Sequence, residues 1–167
     1  MAYFTERQRR QEGKDTSHTL PGGLSPLELL RRLLFGTLAL SLVGTEAELL
    51  LLGHFEDWTQ YLPLVILALA IVAQLWHLLS ATAATVRVIQ GLMWLCVGSG
   101  AVGVFLHFRG NVEFELEVTP SMAGLELLKA AATGATPALA PGAMVQIGLI
   151  GLAWSLRHPL LRSSTKS

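Results

Sequence analysis

Apolar residues in this chain gather in four blocks separated by polar stretches. The blocks are Leu33–Leu52, Tyr61–Leu79, Val88–Phe108 and Ala138–Leu156. Each approaches the roughly 20 residues a helix needs to cross a hydrocarbon core of about 30 Å. The pattern predicts an all-α membrane protein, a four-helix transmembrane bundle over residues 26–158. Short connections make the first and second helices neighbours, and likewise the second and third.

The one long connection, 109–136, reads in two parts. Val112-Glu-Phe-Glu-Leu-Glu-Val118 alternates strictly, which predicts a short extended segment with Glu113, Glu115 and Glu117 on one face. Pairing with another chain, lying on the membrane, or continuing the third helix are the ways its backbone groups would be satisfied. Beyond Pro120, residues 121–132 predict a short amphipathic helix, with Ser121 as cap and Gly134 as stop.

Small residues mark where membrane helices touch, because lipid supplies no hydrophobic drive for association. On that basis Thr37, Ser41, Gly44, Thr45 and Glu48 are the expected inner face of the first helix. Ala70, Gln74 and His77 serve the second, Cys96, Gly100, Gly103 and His107 the third, and Gly148 and Gly151 the fourth. Gly98, Gly100 and Gly103 also match the dinucleotide-binding spacing. That motif requires a preceding strand, and here it falls inside an apolar helix, so packing is the better reading.

Charge adds orientation. Of the twelve Lys and Arg residues, ten lie in the amino-terminal tail, the turn after the second block, or the carboxyl end. Only Arg109 and Lys129 lie on the opposite side. The positive-inside rule then puts both termini in the cytoplasm, in a cell membrane of prokaryotic type. The outer side carries Glu46, Glu48, Glu56, Asp57, Glu113, Glu115, Glu117 and Glu126. Trp58 and Tyr61 mark the outer boundary; Trp76 and Trp154 mark the inner one. Met1–Ser25 has the polar, charged composition of a disordered tail rather than a secretory signal, and 159–167 forms a second short tail. One cysteine, Cys96, permits no internal disulfide.

Candidate chemistry concentrates on the outer side. Glu48 lies inside the first block, where an ionisable group is costly and usually serves a purpose. His54 and His107 end the first and third blocks, Arg109, Asn111 and Glu113 follow at once, and Gln146 lies at similar depth in the fourth. Such a cluster suits a ligand or ion, and fixes neither a metal nor a cofactor. Capping and mutual pairing of these groups is the simpler account. The expected role is non-enzymatic, with the acidic outer face contacting a membrane-protein partner, a ligand or a second copy of the chain. Alternatives are a haem b- or metal-binding redox protein using His54 and His107, or a small transporter subunit using Glu48. Ser99 has no histidine at its depth for a hydrolytic triad. The basic tail suits anionic lipid better than nucleic acid.

Overall fold

The computed structural model describes residues 23–53, 55, 58–134 and 141–163. Its elements are helices α1 (Pro26–Leu51), α2 (Tyr61–Leu79), α3 (Ala83–Val118), α4 (Gly124–Ala132), α5 (Gly142–Ser155) and α6 (Pro159–Ser163). A single 3-10 turn, Trp58–Gln60, leads into α2. No strand occurs among the described residues. Three helical stretches are long and apolar enough to cross a membrane: α1, α2 with its leading turn, and α3. By contrast, α5 has 14 residues and measures about 21 Å.

Capping explains where the helices start. Ser25 and Glu28 form a reciprocal capping box, with Pro26 at the first helical position, so α1 begins seven residues before its apolar block. Thr82 and Thr85 form the equivalent pair for α3, which begins at Ala83 rather than Val88. The turn between α2 and α3 is therefore only Ser80–Thr82.

The expected extended segment over 112–118 is not extended. α3 continues unbroken through it for 36 residues in all, about 54 Å. Adding residues to an existing helix requires no new nucleus, whereas a lone strand would leave its backbone groups unpaired. The helix stops at Val118 because Pro120 disfavours helical geometry at Thr119, its C-cap. Ser121 does not cap the next helix. α4 starts at Gly124, behind Ala123, which provides no side-chain cap.

Four helices pack in a ring, α1 against α2 and α5, and α3 against the same two. The core holds Leu38 and Leu42 of α1, Leu67 and Ala70 of α2, Ile89, Met93 and Cys96 of α3, and Ile147 and Trp154 of α5. This corrects the face expected for α1. Its buried stripe is Leu38 and Leu42, while Thr37, Gly44 and Glu48 are exposed and Ser41 and Thr45 half-buried. Continued by one turn, the stripe reaches Glu46, one of whose carboxylate oxygens is shielded and unpartnered. Glu46, not Glu48, is thus the glutamate on the core side.

The α3–α5 contact is close because glycines face it from both helices. A Cβ on Gly100 would lie 2.8 Å from both the Pro141 carbonyl and Val145 Cγ2, and one on Gly103 would lie 2.7 Å from Pro141 Cβ. A Cβ on Gly148 would lie 2.6 Å from the Met93 carbonyl, and Gly151 is equally confined by Met93. Gly98, the remaining member of the rejected motif, borders open space.

Candidate functional site

Of the seven polar residues singled out in the sequence, the six that are described do not form one cluster. Glu48 and Gln146 lie together, with Ser41 and Thr45, on a groove of about 330 Å³ between α1 and α5. His107 lines a different groove of about 420 Å³ between the start of α2 and the middle of α3, with Trp58, Ser99 and Pro141. The two grooves share no residue. Arg109 donates to Glu113 at 2.8 Å, one helical turn apart on an exposed face of α3. Such a pair contributes a few tenths of a kcal/mol at most, roughly 0.3–0.5. Asn111 is buried for another purpose: its Nδ2 donates to the Ala131 carbonyl at 2.9 Å and ties α4 to α3. A Cβ on Gly134 would lie 2.8 Å from the Asn111 side chain, so that loop approaches closely too. His54 lies outside the described residues.

His107 shares its groove with Trp58, Gln60 and Pro63, which fixes where α3 passes the start of α2. Residues 108–118 therefore extend beyond α2 by 11 positions, about 16 Å. This projection bears Glu113, Glu115 and Glu117 with exposed Phe114 and Val118. α4 folds back onto it, burying Ala131 and leaving Leu125 and Leu128 exposed.

The most connected polar cluster is at the opposite end of the bundle, and the sequence reading passed over it. His77 of α2, Trp154 of α5, Phe35 of α1 and His158 meet there. Ring centroids are 5.1 Å apart for Phe35–Trp154 and His77–Trp154, 4.9 Å for Trp154–His158 and 5.9 Å for His77–His158. His77 Nδ1 is 2.7 Å from the Thr85 hydroxyl, and Gln74 Nε2 donates to the Phe35 carbonyl at 3.3 Å. Trp154 is buried, so it is a packing residue and not part of an interfacial belt. His158 accepts the Leu160 N–H through Nδ1 at the start of α6. Burial holds the His158 imidazole below its ordinary pKa, helped by repulsion from His77 and Arg31. Part of the signal was present: Gln74 and His77, one turn apart, fell on the expected inner face of α2, whereas His158 lies in the turn beyond α5 and no spacing joined it to them.

Arginines surround this cluster. Arg31 Nη2 donates to the Arg157 carbonyl at 3.1 Å, joining α1 to the turn after α5. Arg157 has φ 49°, the left-handed region that non-glycine residues enter at a cost of about 1–2 kcal/mol. Among the described residues no group of three or more His, Cys, Asp or Glu side chains is placed to hold a metal ion. Comparison with known protein families, curated proteins and solved structures gave no match, so the site is read from its own geometry.

Proposed function

We propose that this chain is a non-enzymatic multi-pass membrane protein that docks a partner protein through the projection formed by the end of α3 and by α4. In this reading α5 makes a fourth crossing, both termini are cytoplasmic, and the projection stands on the outer face of a prokaryotic cell membrane. The Arg/Lys distribution supports that orientation. The Arg31–Arg157 bond supports it as well, since it puts the start of α1 and the end of α5 at one end.

The observation that carries the docking role is the 11-residue overrun of α3 beyond α2, because bilayer crossing does not need it. Its surface combines exposed apolar side chains (Phe114, Val118, Leu125, Leu128) with an acidic rim of Glu113, Glu115, Glu117 and Glu126. An apolar patch with a charged rim is the usual composition of a protein-binding surface, and this rim favours a basic partner.

Photo-crosslinkers at Glu117 and Leu125 test the reading in cells, with Leu40 as a lipid-facing control. A discrete adduct at the first two positions, weakened by Glu113→Lys with Glu117→Lys, is expected. No adduct, or the same adducts at Leu40, would remove the docking role. A reporter fused after Lys166 should score cytoplasmic.

The Glu48–Gln146 groove favours a second reading, a transporter subunit that passes a cation or proton along α1 and α5. Glu48→Gln would then abolish transport in vesicles while leaving insertion intact. The redox alternative through His54 and His107 would show as a Soret band or as bound metal in the purified protein.

A further inference from the structure

We propose that the groove between the start of α1 and the α5–α6 turn is a specific binding site for one anionic phospholipid. Leu27, Leu30, Leu34, Ala153, Leu156 and Pro159 form its walls, and Arg31, Arg157 and Arg162 line it. Its volume is about 630 Å³, within the roughly 300–1,000 Å³ of small-molecule sites. Among the described residues no acidic side chain lines it. Three guanidiniums beside an apolar slot match a phosphate with an attached acyl chain, and guanidinium is well suited to phosphate oxygens.

Two features distinguish this groove from a basic surface that merely attracts lipid. Arg31 is half-buried and held by its bond to the Arg157 carbonyl, so its guanidinium is fixed before any ligand arrives. Arg157 occupies left-handed backbone in the same turn, an arrangement that carries a conformational cost and calls for a compensating contact from its guanidinium. A bound phosphate supplies one. Leu30 and Leu156, both largely exposed, give the acyl chain an apolar path from that phosphate. The inference rests on the membrane location, and not on the docking role of the projection at the other end.

The test uses the full chain purified in detergent. Titration with phosphatidylglycerol, against phosphatidylcholine and against inorganic phosphate, is followed by thermal stability and by native mass spectrometry. Arg157→Gly combined with Arg162→Gln removes two charges and leaves the Arg31–Arg157 backbone bond in place, so the variant should fold. Binding of phosphatidylglycerol to it should weaken about 30-fold. Arg32→Gln with Arg87→Gln removes the same charge at the same end but outside the groove, and should change binding less than about threefold. Equal losses in both pairs would mean diffuse attraction and overturn the site. An equal thermal shift from inorganic phosphate would mean a soluble anion site and overturn the lipid assignment. So would phosphatidylcholine binding as tightly as phosphatidylglycerol.

Discussion

The two ends of the helical ring use their polar residues in opposite ways. At the Glu48 and Arg109 end, charged groups are numerous and separate. Glu48 faces one groove and His107 another, and Arg109 pairs within its own helix. At the Arg31 end, fewer groups are joined across elements. Arg31 reaches Arg157, Gln74 reaches Phe35, His77 reaches Thr85, and three rings pack around Trp154. A dense run of polar residues in a sequence therefore says little about a site. Groups at helical spacing on core-facing positions of different helices say more, because burial compels them to find partners.

The sharpest way to break this contrast is Trp154→Ala. It removes the ring at the centre of the four-ring cluster, and a loss of about 3–5 kcal/mol is expected in denaturation of the detergent-solubilised protein. A loss below 1 kcal/mol would mean that the cluster does not hold its end together. Next in size is the shaft connecting the ends. Gly100→Leu or Gly148→Leu should cost roughly 1–3 kcal/mol, because the new side chain meets backbone atoms of the facing helix. Val102→Leu, on an exposed position of α3, should cost less than about 0.5 kcal/mol. Equal effects at all three positions would place the packing face elsewhere.

A smaller effect should appear with pH. His158 is held below its ordinary pKa by burial, then by His77 and Arg31, so the unfolded state binds its proton more readily than the folded state. Its stabilising contribution is present above about pH 6.5 and is lost as pH falls from there through the lower folded value. Melting temperature should decline on acidification, and His158→Gln should flatten the decline. The smallest effect belongs to the other end. Arg109→Ala or Glu113→Gln should alter stability by at most about 0.5 kcal/mol. A larger change would show that this exposed pair is doing more than its geometry implies.

Much of the fold was legible in the sequence. The apolar run Tyr61–Leu79 coincides with α2, and the glycines of α3 and α5 stood out by spacing. Length and apolarity are local properties and can be read locally. Two misreadings came from pattern without context. Alternation at 112–118 is compatible with a strand, yet the same residues at helical spacing pair Arg109 with Glu113 and let a helix already under way continue. On α1, small polar residues indicated one inner face, but the ring of neighbours buries Leu38 and Leu42 and exposes Glu48 beside α5. Only the positions of α2 and α5 around α1 decide that rotation, and no local pattern encodes them. The His77–His158 proximity was illegible for the same reason: it joins residues 81 positions apart through a turn that requires left-handed backbone at Arg157.

The shortness of α5 has a consequence for the bilayer itself. Were α5 to make the proposed fourth crossing, its 14 residues would cover about 21 Å and leave about 9 Å of a 30 Å core unmatched. Hydrophobic mismatch of this kind is relieved by thinning of the adjacent leaflets, at fractions of a kcal/mol per ångström. α1 and α3 are longer, so the deformation would be one-sided and the protein would sit as a wedge in the lipid. Headgroups and water would then be drawn down along α5, toward the flank where Gln146 and Glu48 lie. A thin membrane would accommodate the chain with less deformation than a thick one, so bilayer thickness acts on it as a sorting variable.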